Sequence, residues 1–263
     1  MNEEKAVQGS LEVSVVLPAY NEVNALETAV EKVTKALSEF ASSYEIIIAE
    51  DGSTDGTDKL AASLAQKYPF VKHIHREKRL GRGAALKNAF NHSRGEILLY
   101  MDLDLAADLR HLKSLVCAVE FEGYEFATGS RLLPHSKVKR SGTRHIASKT
   151  YNFMVRAMLC SEVKDHQCGF KAFRREPLMQ LLDEVKANHW FWDTELLVQA
   201  RRRGYRIKEV PVSWTGGRET KVKVFQDSFR MGWQILSLWW HLKVQRYQDS
   251  DSFDQKHQRS GNQ

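Results

Sequence analysis

Four short apolar runs constrain this chain more than any other feature of its sequence. Each ends in a polar turn, and each of the first three is followed by a segment of helical periodicity or a short helix. Leu11 to Leu17 (LEVSVVL) is rich in β-branched residues and stops at Pro18. Val23 to Phe40 then places Leu26, Val30, Val33 and Leu37 at helical spacing. Tyr44 to Ala49 (YEIIIA) reads as a second buried strand ending at Glu50-Asp51-Gly52, and Thr54 to Tyr68 as a helix opened by polar cap candidates. Val71 to His75, Gly83 to Ser93 and Glu96 to Met101 add strand, helix and strand. Such alternation predicts an α/β domain with a mostly parallel, doubly wound sheet, because parallel neighbours need crossover helices.

Sheets of this kind bind ligands outside the carboxyl ends of their strands. Three polar turns should therefore converge on one rim: Pro18-Ala19-Tyr20-Asn21-Glu22, Glu50 to Thr57, and Asp102-Leu103-Asp104. The second turn carries three carboxylates and two glycines, which allow close backbone approach and hydrogen bonding to a base or ribose. The third follows EILLYM, and strand alternation would put Asp102 and Asp104 on one side, a pairing suited to a hard divalent cation. Taken singly, the first two turns also read as helix-capping or helix-entry turns, and the third as a common D-x-D.

The 263 residues, 42% hydrophobic and 27% charged, suffice for such a domain and exclude collagen, disulfide scaffolds and a wholly disordered chain. Cys117, Cys160 and Cys168 are odd in number and widely spaced, which argues against a disulfide framework or a cysteine zinc site. The first ten residues show no secretory signal pattern, and Met231 to Leu242 is too short to span a bilayer. The expected division is a disordered 1–10, a catalytic domain over 11–224, an amphipathic Trp-rich helix over 225–245 and a disordered tail over 246–263.

The net charge of +6 is concentrated. Between Glu125 and Glu162 there is no acidic residue, whereas Arg131, Lys137, Lys139, Arg140, Arg144, Lys149 and Arg156 are present. With Ile146, Tyr151, Met154, Val155, Met158 and Leu159 they give a helix at about 140–160 the basic amphipathic pattern of a membrane interface. No recognition-helix or RNA-binding signature accompanies the charge, so a nucleic-acid partner is not expected.

Together the three turns resemble the family 2 glycosyltransferases of the GT-A fold. Leu80-Gly81-Arg82-Gly83, Gly129-Ser130-Arg131, Asp165-His166-Gln167-Cys168-Gly169-Phe170-Lys171 and Val210-Pro211-Val212-x-Trp214 look most like the dolichyl-phosphate mannose and glucose synthases. Their usual D-T-Q-C-G-F-K stands here with His166 for threonine.

The resemblance implies inverting transfer of a hexose from a nucleotide-diphosphate sugar, GDP-mannose or UDP-glucose, to dolichyl or polyprenyl phosphate, with magnesium or manganese. It implies donor binding by Pro18, Tyr20, Glu22, Asp51, Asp55, Gly81, Arg82, Gly83, Asp102, Asp104 and Gln167, and metal binding by Asp102, Asp104 and Gln167. Arg131, Arg144 and Ser148 match the acceptor-phosphate residues; Asp104, Asp193, Arg218 and Lys221 match residues of the catalytic centre. Asp193 matches the base used for hydroxyl acceptors, but a phosphate acceptor needs little help from a base. The expected location is peripheral, on the cytoplasmic face of a membrane. Two alternatives remain: a soluble family 2 enzyme acting on a saccharide or protein hydroxyl, and a non-catalytic nucleotide-sugar-binding subunit.

Overall fold

The computed structural model describes residues 12–216 and 231–244. Its first half follows the alternation closely: β1 (Val13–Ala19), α1 (Val23–Ser38), β2 (Tyr44–Glu50), α2 (Thr57–Lys67), β3 (Val71–Ile74), α3 (Arg82–His92) and β4 (Ile97–Met101). A single 3-10 turn then leads into α4 (Leu112–Glu120). The second half holds β5 (Phe126–Ser130), β6 (Lys137–Lys139), α5 (Gly142–Leu159), β7 (Phe170–Arg174), α6 (Arg175–Leu182), α7 (Trp192–Arg202), β8 (Ile207–Pro211) and β9 (Ser213–Thr215). A last helix, α8, spans 231–244.

Seven strands form the main sheet in the order β3-β2-β1-β4-β7-β5-β8. Every pairing is parallel except those of β7, which runs against both β4 and β5. Alternating side chains feed two cores. Val13, Val15, Leu17, Ile46 and Ile48 face α1, α2 and α4, while Val16, Ile47, Leu98 and Tyr100 face α3, α6 and α7. Strands buried on both faces explain why these runs are almost continuously apolar.

A third cluster joins Tyr151, Val155 and Leu159 of α5 to Val198 of α7 and to Ile235, Leu238 and Leu242 of α8. Much of the apolar stripe of α5 is thereby covered by the protein itself. Ile146 and Phe153 remain outward, at 66% and 68% exposure. No helix among the described residues is long and apolar enough to cross a membrane. The terminal stretches 1–10 and 246–263, assigned above to disorder, lie outside the described residues, and of 225–245 only 231–244 lies within them.

Beside the main sheet, β6 and β9 pair in parallel, and Trp214 bridges to Ala107. These contacts hold the chain that follows β8 against the turn that follows β4.

Candidate functional site

The carboxyl ends of β1, β2 and β4 lie together, and side chains join the turns that leave them. Asn21 N–H donates to Ser53 Oγ (3.0 Å), Thr54 N–H to Asn21 Oδ1 (2.8 Å) and Glu22 N–H to Thr57 Oγ1 (2.9 Å). Asp55 accepts from the Val23 N–H (3.2 Å), the Thr57 N–H (3.0 Å) and the Thr57 hydroxyl (2.5 Å), so it anchors the starts of both α1 and α2. Its small degree of burial raises its pKa, but these hydrogen bonds outweigh that and leave it lowered.

Asp51 is buried and accepts from the backbone N–H groups of Leu80 (2.9 Å) and Gly81 (2.8 Å). It therefore braces the loop before α3. Gly81 has φ +108°, and a Cβ there would overlap His189 and the Asn188 carbonyl, so only glycine fits this turn. Gly83 N–H donates to the same carbonyl at 2.8 Å. Pro18 pairs in register with Ala49, and the Tyr20 ring lies under the Arg79 guanidinium, 3.6 Å from its centre. Of the donor residues expected from the sequence, Asp51 and Asp55 thus hold loops in place, while Tyr20 and Glu22 occupy the rim.

Asp102 and Asp104 line one pocket together with Leu105, Ala106, Gly169 and Trp214. They converge for a different reason than strand alternation: β4 ends at Met101, and the chain turns, with Leu105 at φ +47°. Asp102 N–H donates to the Gly169 carbonyl (3.1 Å), and a Cβ on Gly169 would overlap the Asp102 carboxylate. Asp104 accepts from Ala106 N–H (3.0 Å). Burial raises its pKa, and the nearby charges of Asp102 and Glu22 add to the rise.

Beneath this turn lies a buried charge network. Arg82 pairs with Asp102 (2.8 Å) and with Asp193 (2.7 Å), between the rings of Tyr100 and Trp190. Asp193 also accepts from Tyr100 Oη and pairs with Lys171 Nζ (3.1 Å). Burial pushes the Asp193 carboxyl up to about 6 against the pull of Arg82, and pushes Lys171 down to about 7. Lys171 further donates to the carbonyls of His166 (3.0 Å) and Cys168 (2.5 Å), fixing the turn that carries Gly169. Sequence reasoning missed Lys171 and Tyr100 as parts of the site. The signal available was a lysine inside the apolar run Phe170-Lys171-Ala172-Phe173.

On the far side of Trp214 is a basic groove of about 490 Å³, lined by Arg131, Leu132, Leu133, Ser136, Val138, Arg140, Gly142, His145 and Lys149. Arg131 lies 4.9 Å from the Trp214 ring centre and makes a two-pronged pair with Asp165 through Nε (2.7 Å) and Nη2 (2.8 Å). Burial raises the Asp165 pKa, but Arg131 and its hydrogen bonds more than reverse this, to about 2. Of the three expected acceptor residues, Arg131 lines the groove, Arg144 is exposed nearby on α5, and Ser148 Oγ is buried without a hydrogen-bond partner among the described residues. Gln167 donates to Met231 Sδ at 3.8 Å and so faces α8. His166 fits between Asn152 (2.8 Å) and Ser161 (2.8 Å), and burial pushes its pKa down to about 3. Arg218 and Lys221, with Thr220 between them, lie outside the described residues.

Residues 14–182 match the model of the family described as Glycosyl transferase family 2. The chain belongs to that family. Glycosyltransferase AglD of Haloferax volcanii is 48% identical over 241 residues, covering 91% of this chain and 39% of AglD. The dolichyl-phosphate beta-glucosyltransferases of Dictyostelium discoideum and Homo sapiens are 32% and 31% identical, each over 86% of this chain and over 73% and 74% of their own lengths. Among solved structures, glucosyl-3-phosphoglycerate synthase from Mycobacterium tuberculosis, in complex with Mn2+, UDP-glucose and phosphoglyceric acid, superposes with a TM-score of 0.67. That likeness, at 22% identity over 87% of this chain and 78% of that one, concerns the fold. In this family 2 chain the mostly parallel GT-A sheet expected from the sequence is present, with β7 as its one reversed strand.

Proposed function

We propose that this chain transfers a hexose, with inversion, from a nucleotide-diphosphate sugar to the phosphate of dolichol or another polyprenol. The observation that carries this reading is a juxtaposition. Trp214 lines the acidic pocket of Asp102 and Asp104 and lies under Arg131, which lines the basic groove. A donor diphosphate held with a cation on one side and an anionic acceptor on the other would meet there. The names of the relatives favour glucose as the hexose and lipid phosphate as the acceptor.

A phosphate monoester has a second pKa near about 6 and is largely dianionic at neutral pH, so it attacks without a protein base. Its oxygen forms the bond to the anomeric carbon while the bond to the diphosphate oxygen breaks, and the nucleoside diphosphate departs. Asp193 suits this chemistry as a positioning group, because Arg82, Tyr100 and Lys171 already engage its carboxylate. Arg131, Arg140 and Lys149 would hold the acceptor phosphate, with Arg144 and Ser148 close by on α5. Arg218 and Lys221 are proposed to reach the donor diphosphate.

Magnesium or manganese fits the carboxylates present. Burial, and then the charges of Asp102 and Glu22, raise the Asp104 pKa, so a cation there would relieve the crowded carboxylates, and hard oxygen donors suit these ions. Asp102 and Asp104 would hold the ion, joined by Gln167 if its amide turns away from Met231, and the ion when bound would neutralise the departing diphosphate. Arg82 keeps Asp102 oriented meanwhile.

Ile146 and Phe153 share α5 with Arg144 and Lys149, and Trp233, Leu236 and Trp240 on α8 are likewise exposed, all five apolar side chains at 48–68%. This combination supports peripheral attachment to an anionic membrane surface; the cytoplasmic face is part of the same proposal.

The test is a transfer assay with polyprenyl phosphate, Mg2+ or Mn2+, and labelled UDP-glucose or GDP-mannose in parallel arms, scoring label extracted into organic solvent. Extractable label that Asp104→Ala abolishes supports the proposal and identifies the sugar. Activity on a saccharide or protein hydroxyl, lost in Asp193→Asn, would replace it; metal-dependent nucleotide binding without any turnover would leave a binding subunit.

A further inference from the structure

Away from the acidic turn, Glu50, His73 and His75 bring a carboxylate oxygen and two imidazole nitrogens within 4.8 Å of one another. The sheet produces this arrangement. His73 lies opposite Ile48 in the parallel register of β2 and β3, and Glu50 and His75 each stand two residues further along, on the same face. Glu50 is buried, and its Oε1 accepts from Ser53 N–H, which turns Oε2 toward His75 Nδ1 at 2.5 Å. His73 Nε2 is buried with no hydrogen-bond partner among the described residues. A buried, unsatisfied ring nitrogen costs free energy that a bound ion would recover. Asp58, at the start of α2, adds a further nearby negative charge. His75 is 45% exposed on its side chain, which leaves a path from solvent.

We propose that Glu50, His73 and His75 form a binding site for a transition-metal ion of the zinc or cobalt class, separate from the Asp102 and Asp104 turn. Two imidazoles and one carboxylate match the three-ligand zinc site, with solvent in the fourth position. Tetrahedral ligands about 2.0–2.1 Å from zinc stand about 3.3 Å apart, so the Glu50 and His75 pair opens slightly to admit the ion. Nitrogen donors select this class over magnesium, which the carboxylate turn prefers. The two sites cannot share an ion. Glu50 ends β2 and Asp102 follows β4, two strand spacings away and so roughly 10 Å apart.

An ion here would stiffen the donor side. Glu50 holds the Ser53 N–H, and Ser53 Oγ in turn holds the Asn21 N–H, so the ion anchors the turns after β2 and β1 at once.

The test is direct metal binding by the full chain, stripped with chelator and titrated with Zn2+ against a chromophoric competitor in excess Mg2+. One equivalent of Zn2+ should bind, Co2+ should give the visible absorption of a low-coordinate site, and Zn2+ should raise the melting temperature. His73→Gln and His75→Gln should each weaken binding by at least about tenfold, whereas Asp104→Asn and the exposed control His92→Gln should not. Circular dichroism of the two histidine variants confirms that they are folded. Failure to bind Zn2+ in excess Mg2+, equal binding by the folded histidine double variant, or loss of binding in Asp104→Asn would each overturn the site. Because binding is read without turnover, its failure leaves the transferase proposal untouched.

Discussion

At the residue scale, His166 shows how a departure from a family signature is accommodated. Its ring bridges Asn152 of α5 and Ser161, and burial keeps its folded-state pKa near about 3, below the unfolded value of about 6.5. The unfolded chain therefore binds the extra proton, and stability is lost as pH falls through that window. Relative to His166→Thr, the wild type should lose stability progressively as pH falls below about 6.5, measured by urea unfolding at several pH values. The substitution was legible in the sequence, but its partner Asn152 was not, because nothing in the spacing of 152 and 166 signals contact. Asp104 is the opposite case: the role proposed for it comes from its motif, and the structure adds the reason for its convergence with Asp102, the turn that follows β4. Asp104→Asn should lower transfer on the order of 100-fold or more, with the fold intact by circular dichroism.

Between elements, the pair of Arg131 and Asp165 ties the end of β5 to the segment before β7. Asp165 is fully buried, so Arg131→Ala leaves an uncompensated carboxylate and should cost about 3–5 kcal/mol in chemical denaturation. Arg131→Lys should restore little of it, because an ammonium cannot make the two-pronged contact. The packing of α5 on α8 separates two apolar faces that sequence patterning had merged. Leu238 lies in the contact with α5 and α7, and Leu238→Ala should cost roughly 2–5 kcal/mol. Trp233 and Trp240 point outward at 68% and 63% exposure. Changing both to Ala should alter stability by no more than about 0.5 kcal/mol each, yet weaken sedimentation with anionic vesicles. Helical periodicity locates an apolar stripe without telling which part of it another helix will cover. That is why Tyr151 and Val155 looked interfacial from sequence and proved internal.

Across the molecule, the alternation of strands and helices was legible from β1 to β4, because strands buried on both faces leave uninterrupted apolar runs. The reversal of β7 and the pairing of β6 with β9 were not, since they depend on partners far apart in the chain. Three turns from different strands form the rim, so a ligand that bridges them should stabilise the whole fold. UDP-glucose with Mn2+ at about 100 times its dissociation constant should add about 2.7 kcal/mol, seen as a higher melting temperature that Asp104→Asn abolishes.

The reversed strand has a further consequence, for the order in which the fold can close. As the chain emerges, β1 to β4 can pair with one another using neighbours already made, but the outer edge of β4 stays open until Phe170–Arg174 arrives. Throughout that interval Ile97–Met101 offers an apolar edge to any other strand nearby. The strand that closes this edge also carries Lys171 beneath the acidic turn. The acidic turn thus gains its buried lysine only when the sheet loses its exposed edge, and a nascent chain cannot complete one before the other.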